Sequence, residues 1–303
     1  MTNNYWIVDE WLIFKPEFNE ELTNYYGVIN KYKKIMFSNY NDPLIAIETN
    51  NQYKNKYFNN YIESKFSQEI NLSNNINLTH LTFGFYFDKE INLSNNINLT
   101  HLTFGFYFDE EINLSNNINL THLTFGYNFN QKIDLSNNIN LTHLTFKGYF
   151  NQEIDLSNNI NLIYLTFGFC FVKEIDLSNN INLIYLTFGF CFVKEIFIPL
   201  NVKSLNMCEC NNQYVIDNLR NNVEELIISN NHLNLDNLPN SIKKLYIEDY
   251  EKELNNLPNS IEYLELNNYE LKIKKIPKNL KTVKCNKEYK YINDFKNYEV
   301  ITY

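Results

Sequence analysis

The chain has 303 residues, a formal net charge of −9 at pH 7 and a composition that is 44% hydrophobic, rich in Tyr and Phe (23 each) and poor in Gly (7) and Pro (6). That much apolar material excludes wholesale disorder, and so little Gly and Pro excludes a collagen-like or linker composition. The acidic balance, with Arg220 the only arginine, argues against nucleic acid as the main ligand, because phosphate affinity needs clustered Lys and Arg.

Residues 1–65 come first. Met1 to Phe14 includes Asp9 and Glu10 and no basic stretch ahead of an apolar one, so it does not read as a secretory signal. No run of about 18 apolar residues occurs anywhere to cross a membrane as a helix. Trp6 to Phe14 offers large apolar rings, and both Ile35-Met36-Phe37 and Leu44-Ile45-Ala46-Ile47 read as short strands. Phe18-Asn19-Glu20-Glu21-Leu22 echoes a motif that recurs downstream. The segment is expected to be an N-terminal cap or degenerate coils covering the open end of a core, with a small adaptor region as the alternative.

From Ile70 onward the chain repeats itself. Ile70, Ile91, Ile112, Ile133, Ile154, Ile175 and Ile196 stand 21 residues apart, and Phe83, Phe104, Phe125, Phe146, Phe167 and Phe188 keep the same step. One copy, residues 70–90, reads INLSNNINLTHLTFGFYFDKE. In the next, Leu99-x-x-Leu102-x-Phe104 ends in the alternation of a strand with one buried face. A strand every 21 residues leaves no room for a crossover helix, so the return leg must be short and mostly non-helical. Stacked coils then make one parallel sheet with roughly 4.8 Å between strands. Ile91, Leu93, Ile97, Leu99, Leu102, Phe104 and Phe108 are expected to point inward, a burial that no coil achieves alone. Gly84, Gly105, Gly126, Gly168 and Gly189 follow the strand Phe, where the backbone is expected to swing out of the sheet; Lys147 breaks this series and Gly148 follows it. Triplets such as Ser94-Asn95-Asn96 are expected to bond locally and mark the convex bend.

Beyond Ile196 the copies drift but the phase persists. Leu205, Leu226, Leu245, Leu264 and Val283 continue the strand series in steps of 19 or 21. Leu238-Pro239-Asn240-Ser241-Ile242 and Leu257-Pro258-Asn259-Ser260-Ile261, with Ile276-Pro277 alike, suggest an extended lead-in to the strand. Leu81 to Val283 accommodates eleven candidate coils, where a solenoid needs about three. Residues 66–285 are thus read as the solenoid and 286–303 as its C-terminal cap. The lysines between Lys272 and Lys290 are expected to form a solvated face that blocks edge pairing, or else a dock for an acidic surface or nucleic acid.

Val223, Leu226, Ile228, Asn231 and Leu233 resemble the leucine-rich repeat, L-x-x-L-x-L-x-x-N/C-x-L. The Asn-or-Cys phase holds Asn128, Cys170, Cys191 and Cys210, read on that template as buried ladder residues, while Tyr86, Tyr107, Tyr149, Tyr250 and Tyr269 depart from it. Phe129-Asn130-Gln131-Lys132-Ile133, Phe150-Asn151-Gln152-Glu153-Ile154 and the Leu-Pro-Asn-Ser-Ile copies are similar to the FNIP repeat, a variant abundant in social amoebae and in giant viruses of amoebae. The resemblance covers about residues 66–285. It implies a leucine-rich-repeat solenoid: a β-rich curved array with one parallel sheet on the concave face, coils of 19–21 residues and short, mostly non-helical convex segments. Some members carry an F-box that recruits a ubiquitin ligase, and no convincing start of one is present here.

Candidate sites lie on the strand face. His80, His101, His122 and His143 recur at one outward phase, and Tyr164 and Tyr185 succeed them. Thr103, Thr124, Thr145 and Thr166 flank that row, so the expected binding surface is a field of Thr, His and Tyr contacting an unidentified protein. A metal- or proton-responsive His ladder is the competing reading, but one copied His gives the same spacing, no carboxylate shares its phase, and four adjacent imidazoles resist protonation. Ice or carbohydrate binding by the Thr rows rests on fold analogy alone. Cys208 and Cys210 point to opposite sides and Cys285 points inward, so no metal site is expected. No catalytic constellation or phosphate loop is present either, so the chain is read as non-enzymatic and free of cofactors. The alternative function is substrate recognition for a ubiquitin ligase, recruited by residues 1–65. An odd number of cysteines argues against a disulfide framework and for an intracellular, cytoplasmic setting, and the charged edges and degenerate end coils point to a monomer.

Overall fold

The computed structural model describes residues 4–50, 61–208, 210–229 and 232–303. Its contacts divide the chain into two units, Met1–Leu162 and Ile163–Tyr303. In the first, β1 (Tyr5–Val8) pairs antiparallel with β2 (Trp11–Phe14). Parallel rungs follow: β3 (Lys34–Phe37), β4 (His80–Thr82), β5 (His101–Thr103), β6 (His122–Phe125) and β7 (His143–Phe146). Short helices α1 (Tyr26–Ile29) and α2 (Pro43–Asn50) flank β3.

The second unit stacks eight strands in parallel. These are β8 (Tyr164–Thr166), β9 (Tyr185–Thr187), β10 (Ser204–Cys208), β11 (Glu225–Ser229), β12 (Lys244–Glu248), β13 (Tyr263–Asn267), β14 (Thr282–Cys285) and β15 (Glu299–Thr302). A single helical turn, α3 (Gln213–Asp217), lies between β10 and β11, with the Asn212 side chain accepting from the Val215 N–H. Each unit is a solenoid of short parallel strands with little helix, as the period demands. Equivalent residues stand side by side, Leu81 to Leu102 to Leu123 to Leu144 in one unit and Leu205 to Leu226 to Leu245 to Leu264 in the other.

In the coils of β4 to β9 two Phe apiece fill the interior that a helix would otherwise occupy. Phe104 and Phe108 stack within one coil at 3.9 Å between centroids, and Phe104 stacks on Phe83 and Phe125 of the neighbouring coils at 5.6 and 5.4 Å. Leu93, Leu99 and Leu102 close the remaining space. Each such side chain contributes about 1.5–3 kcal/mol on burial.

Several expectations are corrected. Ile97 does not point inward: it is 51% exposed, and Ile76, Ile118, Ile139 and Ile160 behave alike. The inward residue of that turn is the asparagine beside it. Asn117 is fully buried, and its Nδ2 donates to the carbonyls of Leu93 and Asn96 of the preceding coil, both at 3.0 Å. Asn96 and Asn138 repeat the pattern, and Asn75 ties the first repeat to the carbonyls of Ile29 and Tyr32. The Ser-Asn-Asn triplet therefore supplies an asparagine ladder as well as a bend.

At the template's Asn-or-Cys phase, by contrast, Cys170 and Cys191 are only partly buried and Cys210 alone of the three is enclosed. Tyr250 and Tyr269 take over that role further on: the Tyr250 hydroxyl donates to the Leu233 carbonyl and the Tyr269 hydroxyl accepts from the Leu254 N–H. Asn231 lies outside the described residues.

The glycines after the strand have no left-handed backbone. They are required by close approach, since a Cβ on Gly105 would lie 1.7 Å from the Gly84 carbonyl oxygen. Leu44 to Ile47 belong to α2 rather than to a strand, because Asp42 caps the turn through the Leu44 and Ile45 N–H groups. Pro239 and Pro258 each open a tight turn just before the strand, their carbonyls accepting from the Ile242 and Ile261 N–H groups. The lysines do not guard a free edge. Lys274, Lys281 and Lys284 pair with Glu253, Glu262 and Glu265 of the preceding coil, and the last strand is β15.

Candidate functional site

In the first unit the outward strand face is built from two in-register rows. One row runs Trp11, Lys34, His80, His101, His122, His143. Beside it run Ile13, Met36, Thr82, Thr103, Thr124, Thr145. Helix α2 covers one end of this face, where Trp11, Ile13, Met36 and Ala46 form a small core. Trp11 meets His80 edge to face at 5.6 Å, so the polar platform starts at β4.

The four imidazoles stack face to face at 4.1, 4.1 and 4.2 Å, with planes within 12° of parallel. Each Nδ1 lies 2.8–2.9 Å from the hydroxyl of the preceding threonine, Thr79, Thr100, Thr121 or Thr142. Those hydroxyls already donate to the carbonyl of the coil before, as Thr100 does to Thr79 at 3.0 Å and Thr121 to Thr100 at 3.1 Å. The hydroxyl proton being spent, Nδ1 is the donor, and this order assigns the Nδ1–H tautomer along the row. Metal-binding lone pairs lie in the ring plane, and parallel planes do not converge on one ion. Among the described residues no group of three or more His, Cys, Asp and Glu side chains is placed to hold a metal.

Burial, then the neighbouring imidazoles, pushes His122 down to about 3. His80 and His143 fall to about 4, and His101 is also lowered, in each case chiefly by burial. The row is therefore neutral at physiological pH and not a switch there. The unfolded chain, with imidazoles near 6.5, takes up protons before the folded one does. Stability is thus fully present above pH 6.5 and is lost as pH falls toward 4. Denaturant midpoints between pH 7 and 5 should drop more steeply in the native chain than in a variant carrying His→Tyr at all four positions; equal slopes would refute the shift.

The second unit carries the remaining candidates. Tyr164 and Tyr185 pair in register on β8 and β9, their rings stacked at 4.1 Å and 3°. Tyr185 is 39% exposed, and burial together with Tyr185 raises the Tyr164 hydroxyl above its usual range. Thr166 pairs with Thr187 alongside. From β10 onward the face changes character, with Glu225 to Lys244 and Glu265 to Lys284 ion pairs between neighbouring rungs. Those charged rungs were legible as a Glu followed by a Lys one coil later at two outward phases but were not read as a face. Among the described residues no helix is long and apolar enough to cross a membrane.

The FNIP Repeat family model matches residues 230–269. No curated protein matches the chain. Among solved structures, the chain is similar to CroV588, a giant-virus protein described as a novel circular leucine-rich-repeat structure, at 25% identity and a TM-score of 0.53 over 95% of this chain. The match covers 51% of CroV588, so the chain spans about half its length. Two Listeria monocytogenes proteins share the fold alone. The internalin InlF matches at 15% identity and a TM-score of 0.56, covering 97% of this chain and 86% of that one. The functional domain of InlJ, described as including a cysteine ladder, matches at 18% and 0.50, covering 73% of this chain and 51% of that one. Coils of 19 to 21 residues on parallel rungs make the chain a leucine-rich-repeat solenoid, and its residues 230–269 match the FNIP repeat.

Proposed function

We propose that the chain is a non-enzymatic scaffold that docks a protein partner on the outward face of its strands. Leucine-rich repeats are generally used for protein–protein interaction, and their binding surfaces are preformed. The observation that carries the reading is the Tyr164 and Tyr185 stack, an aromatic anchor held on paired strands with Tyr185 open to solvent. Rigid Tyr rings lose little conformational entropy on contact and are enriched at energetic centres of interfaces. In the first unit the stacked His row, with Thr103, Thr124 and Thr145 beside it, offers a second flat polar platform of the same kind.

The test is quantitative retention of a partner captured by the native chain. Y164D/Y185D should weaken retention at least tenfold, as loss of an anchor of about 1.4 kcal/mol or more requires, with far-UV spectrum and melting temperature unchanged. A parallel H101D/H122D variant reports on the first unit separately. Full retention by both variants would remove the strand face as the docking surface.

A further inference from the structure

Cys170 and Cys191 occupy the same phase of the two coils that leave β8 and β9. Ring pairs bracket them on both sides: Phe169 and Phe190 stack at 5.2 Å and 9°, and Phe171 and Phe192 at 6.1 Å and 6°. The Cys191 N–H donates to the Phe169 carbonyl at 2.9 Å. The backbone is thus in register at this point, and the two cysteines face each other across one inter-coil gap. A disulfide needs Cα atoms roughly 4.4–6.8 Å apart, and adjacent rungs fall in that window. Both thiols are free and partly open to solvent, and burial, then the adjacent Cys191 thiol, raises the Cys170 thiol above its usual range. The series stops there, because Cys210 of the next coil is enclosed and its thiol donates to the Phe192 carbonyl at 3.3 Å.

We propose that Cys170 and Cys191 form a redox-modification site, which a low-molecular-weight disulfide such as oxidised glutathione converts into a cross-link between adjacent coils. One cysteine thiolate attacks the glutathione disulfide, forming a mixed disulfide and expelling one glutathione thiolate. The second cysteine loses its proton and attacks the protein sulfur of that mixed disulfide, releasing the second glutathione. Two protein thiols are oxidised by two electrons and one glutathione disulfide is reduced to two thiols. The second step is intramolecular between groups already adjacent, so it outruns a second encounter with the reagent. The cross-link pins together the coils that carry Tyr164 and Tyr185, a few residues upstream on β8 and β9.

The full-length protein is incubated with oxidised glutathione, alkylated after denaturation, digested and read by mass spectrometry. Two of its five thiols should escape alkylation, the Cys170 and Cys191 peptides should be linked within one chain, and the melting temperature should rise, all reversed by dithiothreitol. In C191S the glutathione should persist as a stable adduct on Cys170, for want of a resolving thiol. Alkylation of both cysteines, stable glutathione adducts on both in the native chain, or linkage only between separate chains would overturn the site.

Discussion

Asn117→Ala is expected to lower the free energy of unfolding by about 2–3 kcal/mol, and Asn117→Asp by more than that, on the order of 4 kcal/mol. The alanine variant loses the two hydrogen bonds from Nδ2 to the Leu93 and Asn96 carbonyls and leaves a small void. Its cost is moderated because each carbonyl keeps a backbone partner, Asn96 N–H for Leu93 and Leu99 N–H for Asn96. Aspartate preserves the volume but aims a carboxylate at two carbonyl oxygens in a site with no solvent, so the order of the two variants separates a donor role from a packing role. Denaturant unfolding at pH 7 measures both. An alanine variant as damaging as the aspartate one would show that volume, and not the donor, is what the ladder supplies.

Gly126→Ala should be the most damaging single methyl group added to the chain. A Cβ there would stand 1.6 Å from the Gly105 carbonyl oxygen and 2.5 Å from its carbon, so backbone has to move against backbone. Overpacking costs typically 1–3 kcal/mol when side chains can yield; here they cannot, and a loss above about 3 kcal/mol is expected. Gly27→Ala is the control, since nothing lies within 4 Å of its added Cβ. That substitution should change stability by less than about 1 kcal/mol and in the favourable direction. Comparable melting temperatures for the two variants would refute the close-approach account. The chain contains its own exception: Lys147 stands in the glycine phase, and the tight contact moves to Gly148, whose Cβ would meet the Tyr127 carbonyl at 2.2 Å.

Strands, period and stacking are legible in the sequence, because Leu102-x-Phe104 alternation is a local property and a 21-residue step admits few ways of burying it. The strand face was legible for the same reason: residues between inward Leu and Phe must point out, so the His and Tyr phases followed from Leu81, Leu102 and Leu165. The ladder was not. Asn96 and Ile97 are neighbours in a tight turn, and hydropathy assigns the isoleucine to the core. The preceding coil places the Leu72 and Asn75 carbonyls where a donor is needed, so the asparagine goes in and the isoleucine stays out. A clue was present, since that asparagine persists even where Asn92 of one copy becomes Asp134, Asp155 and Asp176 in others.

The same division explains the other corrections. Alternation at the strand names Leu102 and Phe104 as inward, and the apolar positions recurring every 21 residues add Ile91, Leu93, Leu99 and Phe108, all of them buried. Turns carry no such alternation: which of their groups is enclosed depends on polar atoms contributed by a coil some 21 residues away. Gly105 reads alone as a flexible hinge and in the stack as a contact between two backbones, and Cys170 and Cys191 read as buried rungs yet stand partly open. Apolar periodicity therefore dictates the architecture by itself, while the fate of each Asn, Gly and Cys in the turns awaits the neighbouring coil, because hydrogen-bond partners and steric limits there are set across the stack and not along the chain.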